Sequence, residues 1–466
     1  MDKIKIGFLP LYIKLYDDSG SGARARPRLE PFAAKLAGLL ADEGFEVVSA
    51  PFCRIKPEFE AAYSLFESSG CRAVVTWHAA YSPSLESIEA LASSPLPLVV
   101  LDTTETYAFG PGQDPGEISY CHGIHGVMDI CSMLHRYGKP FAIAAGHIGH
   151  SDVIARTAGF LRAAIAATSL KGSRTGSIGG SFDGMGDFLV TDEEMLERFG
   201  VTVVYPGEGE LASLRSGACR AEIEAEAASV RAEYEPLKPV GDEVLFRTAE
   251  NSLAVRKWID GNRLDAFTAN FREIGNGTGL DIMPFMEACK AMKRGIGYAG
   301  EGDVLTASLV GALMKGYPDT SFVEIFCPDW EGGTLLLSHM GEYNPNLVAG
   351  RETMTEMDFI YGGAKNPVVT YGCYRAGDAV FVNLYRTAEG FKLFISPVKM
   401  EEPAPGTDRF TNKVRGWMRP PEGVARFLED ISFAGATHHS ALVYGARTAE
   451  IEYFAKLLGL PFTTVK

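Results

Sequence analysis

The first 170 residues alternate short apolar runs with helical stretches, and few folds accept that rhythm. Residues 4–12, 45–51, 72–77, 96–102 and 140–145 are rich in apolar and β-branched side chains. Between them, residues 29–43, 57–69, 126–136 and 152–167 repeat apolar positions at helical spacing, and another helical stretch separates the third run from the fourth. Strand–helix–strand repetition predicts a parallel, doubly wound sheet. Ligands of such sheets gather at the carboxyl ends of the strands. His78, Thr103, Glu105 and His147 all fall just after predicted strands.

A second α/β unit follows. Residues 173–179, 201–205 and 266–271 read as strands, and 207–234, 244–262 and 281–294 as helices, the first of them long and charged. After about residue 316 the texture changes. Glycine-punctuated strand patterns at 322–326, 334–339, 367–374, 379–385 and 391–398 replace helices, until a final helix at 448–458. That pattern predicts an antiparallel sheet or barrel. A chain of 466 residues exceeds what one simple core supports. The expected architecture is two doubly wound α/β domains, 1–169 and 170–316, followed by a β-rich, barrel-like domain, 317–466.

Charge and cysteine usage narrow the function classes. A net charge of -15 disfavours nucleic acid and anionic membranes as partners. The longest apolar stretches read as too short for a membrane span, and the amino terminus carries no signal-peptide pattern. Eight cysteines are scattered without a Cys-x-x-Cys pair, as expected of a reduced, cytoplasmic protein.

Four residues of metal-ligand type stand in order in the second half. Glu301 lies in Gly-Tyr-Ala-Gly-Glu-Gly-Asp, Glu324 in Thr-Ser-Phe-Val-Glu-Ile-Phe, His339 in Leu-Leu-Ser-His-Met-Gly-Glu and His439 in Ala-Gly-Ala-Thr-His-His-Ser. Two carboxylates and two imidazoles suit a divalent ion such as Mn²⁺, and the carboxylates are also able to move protons. Each residue has a plainer alternative. Glu301 precedes Asp303, a fair N-cap for a helix over 304–314, so it fits a first-turn charge. Glu324 sits mid-strand and fits a solvated face, although strand alternation puts it beside Phe322 and Phe326. His339, at the end of an apolar strand, fits a satisfied core histidine. On a strand His438 and His439 would point to opposite sides, leaving only one for the ion.

Taken in order, Gly297–Asp303, Thr320-Ser-Phe-x-Glu324, Ser338-His-Met340 and Gly435-Ala-x-His-His439 resemble the L-arabinose isomerase family, within the wider arabinose/fucose isomerase group. The resemblance implies that Glu301, Glu324, His339 and His439 bind Mn²⁺, or another divalent ion such as Co²⁺ or Mg²⁺. It makes Glu301 and Glu324 the acid/base pair, and implies a substrate contact for Met340. Fainter matches place sugar contacts on His122 and His125, in His-Gly-Ile-His-Gly, and pocket contacts on Met185 and Phe271. Tyr16, in Leu15-Tyr16, would reach a neighbouring subunit's site in a closed trimer or hexamer. The implied reaction is aldose–ketose isomerisation of an open-chain sugar through a cis-enediolate. A non-catalytic sugar-binding module, and a metal-dependent epimerase or lyase, are the alternatives. The chain departs from the family pattern at Ile13, Lys14 and His122, which implies that L-arabinose is a poor substrate and that the preferred one differs at the end away from C1.

Overall fold

The computed structural model describes residues 3–20 and 22–465. Its contacts divide the chain into two compact units, 1–168 and 169–466.

The first unit holds a five-stranded parallel sheet in the order Glu46–Ser49, Lys5–Leu11, Val74–His78, Leu98–Asp102, Phe141–Ala145. The order reverses after the first strand, so a topological switch lies between Lys5–Leu11 and Val74–His78. The central strands are buried on both faces, which explains their continuous apolar runs. One core cluster packs Leu9, Phe59, Phe66, Val74, Ile88, Leu98, Ile130 and Leu134 together. The first long helix, Gly22–Asp42, starts earlier than expected and carries Pro27 and Pro31 within it. Arg26 and Arg28 therefore lie on that helix and pair with acids: Arg26 with Asp17 and Glu30, Arg28 with Glu105 and Glu117. Val153–Leu170 is long and apolar enough to cross a membrane, against the expectation of no such stretch, but 61% of it is buried inside the protein. A core helix passes the same test of length and hydropathy.

The second unit contains a four-stranded parallel sheet, ordered Gly297–Gly300, Ala266–Ala269, Arg174–Ile178, Thr202–Val204. Beyond it, Gly377–Thr387, His439–Tyr444, Thr320–Asp329, Thr334–Ser338, Gly416–Arg419 and Gly390–Glu401 pair antiparallel in turn, and the last pairs back with the first. The result is a closed six-stranded barrel, with Phe462–Thr464 added in parallel to one strand. Closure removes the sheet edges that an open array would expose. The helix Val304–Gly316 is apolar on nearly every side, and it packs between the four-stranded sheet and the barrel strands.

Three local expectations fail. The long charged helix is two helices, Glu210–Ser216 and Arg220–Glu233, with the break at Gly217-Ala218-Cys219. Glycine and a capping arrangement at Cys219, with Glu222 returning to its backbone N–H, end one helix and start the next. A helix at Val424–Ala434 interrupts the strands. Val348–Glu356, Val368–Tyr374 and the short Glu235–Pro236 form a separate three-stranded sheet outside the barrel.

Candidate active site and metal centre

Barrel register brings the candidate ligands together. Glu324 lies on Thr320–Asp329, directly opposite His439 on one neighbouring strand and Ser338 on the other. His339 is the next residue after Ser338. Glu301 follows Gly300, the last residue of a strand in the parallel sheet. Phe322, on the same face as Glu324, stands edge-on to both His339 and His439.

Glu301 has a positive φ of 64°, one of two non-glycine residues with that conformation among the described residues. Such backbone costs about 1–3 kcal/mol and persists only where the surroundings enforce it. The neighbours do enforce it. A Cβ on Gly302 would lie 2.1 Å from the carbonyl oxygen of Gly180, and one on Gly300 would lie 2.8 Å from the His339 ring. Phe182 donates its backbone N–H to the Glu301 carbonyl, tying the loop after Arg174–Ile178 to the same point.

The donor atoms form two overlapping groups. Glu324, His339 and His439 make one; Glu301, His438 and His439 make the other, with atoms in each within 4.8 Å of one another. His339 Nε2 is 3.6 Å from Glu324, and His439 Nε2 is 3.7 Å from Glu301. Two ligands of one ion, each about 2.1 Å from it, lie roughly 3–3.7 Å apart. Both histidines are held from behind. Glu342 accepts from His339 Nδ1 at 2.6 Å, and Asp303 accepts from His439 Nδ1 at 3.0 Å. A carboxylate on Nδ1 fixes the tautomer that leaves Nε2 with a lone pair for a metal. His439 Nε2 and Glu301 Oε2 are buried with no hydrogen-bond partner. Orphaned polar atoms facing one another are costly unless a cation fills the gap. The donor set therefore fits a divalent ion.

The expectation that only one of the paired histidines faces the site fails. The strand begins at His439, so His438 precedes it, and the two rings lie side by side with centroids 4.2 Å apart. His438 Nε2 is 3.5 Å from Glu301, too long for a good hydrogen bond, and the contact is a charge attraction. Asp187 accepts from both the backbone N–H and Nδ1 of His438, at 2.9 and 2.7 Å. Burial opposes a charge on His438, but Asp187 and Glu301 outweigh it and push its pKa up to about 10. Asp187 in turn drops to about 2, the His438 contacts outweighing its own burial. The two glutamates diverge. Burial raises Glu324, only partly offset by the histidines; Glu301 is lowered, because the histidines outweigh its burial.

Of the other expected contacts, Phe271 and Met340 line a cavity that opens on Glu301 and His339. Met185 is half-buried in the loop after Arg174–Ile178 and is not among that cavity's lining residues. Phe188 of the same loop stacks on His439 with rings 6° from parallel. Tyr16, His122 and His125 belong to the first unit. There the Tyr16 hydroxyl and His122 Nε2 are hydrogen-bonded at 2.7 Å, and the His122 and His125 rings meet edge to face. Lys14 is exposed and paired with Asp18 one helical turn on.

Sequence reasoning missed His438, Asp187, Glu342 and the second role of Asp303. Glu342 was visible as a carboxylate three residues after His339. From sequence Asp303 reads only as a helix cap, yet one oxygen accepts from the Thr306 N–H while the other holds His439. Asp187 is 251 residues from its partner, and no local pattern marks it.

Comparison with known proteins adds an independent line. The L-arabinose isomerase central domain matches residues 181–316, and the L-arabinose isomerase C-terminal domain matches residues 319–461. An L-arabinose isomerase of Oceanobacillus iheyensis is 26% identical over 411 residues, covering 84% of this chain and 84% of the relative. Those of Acidothermus cellulolyticus and Nocardioides sp. are each 27% identical, over 85% of this chain and 81% of the relative.

Proposed function

Because the chain belongs to the L-arabinose isomerase family as a divergent member, we propose that it is a sugar isomerase interconverting an aldose and a ketose in open-chain form. The observation that carries this reading is the pair of half-buried carboxylates, Glu301 and Glu324, converging on two carboxylate-backed histidines.

In this reading Glu301, Glu324, His339 and His439 hold a divalent ion, Mn²⁺ first, with Co²⁺ or Mg²⁺ as substitutes. The bound ion supplies positive charge that polarises the sugar's oxygens. The proton transfers belong to the protein. One glutamate takes the proton from C2 of the aldose, leaving a cis-enediolate, and the proton is delivered to C1. The O2 proton passes to O1, so no atom or electron is gained or lost. Two carboxylates side by side suit one as acid and one as base. His438, kept charged by Asp187, adds a cation beside the developing negative charge.

The same reading divides the chain into domains 1–169, 170–316 and 317–466. It makes the active form a closed trimer or hexamer in which Tyr16 of one copy reaches the site of another, and it gives sugar contacts to His122, His125 and Met185. A reduced, cytoplasmic protein accords with eight free cysteines. L-Arabinose is then a poor substrate, since His122 is engaged by Tyr16 at a position where the family pattern has glutamine.

The test is incubation of the Mn²⁺-loaded protein with a panel of aldoses and ketoses in D₂O. Deuterium should enter C1 or C2 of at least one sugar. Its absence from every sugar, with metal bound, removes the isomerase reading.

A further inference from the structure

The turn that presents Glu301 is held by a hydroxyl from another strand. The Gly300 carbonyl accepts from the Asp303 N–H at 3.0 Å, closing a four-residue turn. Both central residues have positive φ, 64° at Glu301 and 83° at Gly302. Such turns are dominated by Gly, Asn and Asp, so a glutamate stays in one only where its surroundings hold it. The turn's own hydrogen bond leaves the Gly302 N–H in need of an acceptor, and Thr268 supplies it. Thr268 Oγ1 accepts from the Gly302 N–H at 3.0 Å and donates to the Gly300 carbonyl at 3.2 Å. One hydroxyl thus grips the residue before Glu301 and the residue after it.

Thr268 is fully buried on the strand Ala266–Ala269, level with Ser177 on one neighbouring strand and Ala299 on the other. As a β-branched residue it has few rotamers, so its hydroxyl is kept in place. The Ser177 Oγ is also buried, yet it makes no hydrogen bond among the described residues. Position in this sheet alone therefore does not give a hydroxyl a partner.

We propose that Thr268 is a positioning residue for Glu301: by holding the turn on both sides, it aims the carboxylate at the ion and the sugar. Without the hydroxyl, the Gly302 N–H is left buried and unpaired, and the strained turn loses the contact that opposes its relaxation. The proposal rests on the isomerase reading for the proton transfer at Glu301, and it adds what fixes that carboxylate.

Calorimetric titration of Mn²⁺ decides it, with kcat at saturating Mn²⁺ read in parallel. Thr268→Val keeps the side-chain shape and removes the hydroxyl. It should weaken Mn²⁺ binding by about tenfold or more, the scale on which lost support behind a metal ligand is felt, and lower kcat. Thr268→Ser, which restores the hydroxyl, should return both close to the wild-type values. Ser177→Ala, which removes the unpartnered hydroxyl on the next strand, should change neither. In a Glu301→Gln background, Thr268→Val should cost little further affinity, because its route to the ion is gone. If Thr268→Val does not fold, Thr268→Ala takes its place in each comparison. Unchanged Mn²⁺ affinity in Thr268→Val, a Thr268→Ser as weak as Thr268→Val, or losses that multiply with Glu301→Gln overturn the proposal. An equal loss in Ser177→Ala, or a wild type that binds no Mn²⁺, overturns it as well. Weakened Mn²⁺ binding that serine restores, in a protein that turns over no sugar, keeps the positioning role and removes the isomerase reading.

Discussion

At the residue scale the chemistry rests on a few side chains and on what stands behind them. Glu301→Gln and Glu324→Gln should each lower kcat by about 10²–10⁴-fold, the usual worth of a general acid or base. Circular dichroism should stay native. Near-normal turnover in either variant with metal bound would sink the assigned roles. Glu342 touches the metal site only through His339. Glu342→Gln should weaken Mn²⁺ binding about 10–100-fold, the range for losing such a support, and calorimetric titration of Mn²⁺ reads this directly. An unchanged affinity would make Glu342 a packing residue. The Asp187–His438 pair predicts a pH signature. His438 is raised from 6.5 to about 10, so its share of stability is full below 6.5 and fades as pH rises towards 10. Asp187 is lowered from 3.8 to about 2, so its share is full above 3.8 and fades as pH falls towards 2. The melting-temperature gap between the wild type and Asp187→Asn should be widest between those limits and shrink on either side. A gap independent of pH would show that the pair contributes only packing.

At the scale of elements, the site hangs on the turn from Gly297–Gly300 into the helix Val304–Gly316. Gly300 and Gly302 were legible as glycines flanking a carboxylate, but not why both are needed. The His339 ring occupies the space beside Gly300, and the Gly180 carbonyl occupies the space beside Gly302, itself at φ 83°. Gly302→Ala should destabilise by about 1–3 kcal/mol through strain and overpacking, with a lower melting temperature and a larger loss of activity than Gly186→Ala. Gly186 lies in the same loop system with open space around its Cβ position. Equal effects at the two glycines would refute the argument. The helix Val424–Ala434 was missed for a different reason. Its apolar positions, Val424, Phe427 and Ile431, recur at clear helical spacing, but the helix is short and set among glycine-punctuated strands, whose texture hid it.

At the scale of the whole molecule, a bound ion stabilises the native state by mass action. Metal removal by a chelator should lower the melting temperature, and Mn²⁺ at 100 times its Kd should restore about 2.7 kcal/mol. A melt insensitive to chelation and to added Mn²⁺ would argue against a resident ion. Light scattering tests the assembly, since an active monomer at assay concentration would exclude a site shared between copies. The sequence alone determined the parallel α/β units, the glycine-punctuated barrel and the order of the four ligand-type residues. Each of these is written in local periodicity or in a short motif. Tertiary structure decided the rest. Barrel register set Glu324 opposite His439, and the strand's late start turned His438 inward. The pairing of Asp187 with His438 and of Asp303 with His439 also came from the fold. Local pattern reports what a segment does with its own backbone. Which side chains meet across 100 or more residues depends on how sheets close and stack, and that is fixed only when the whole core packs.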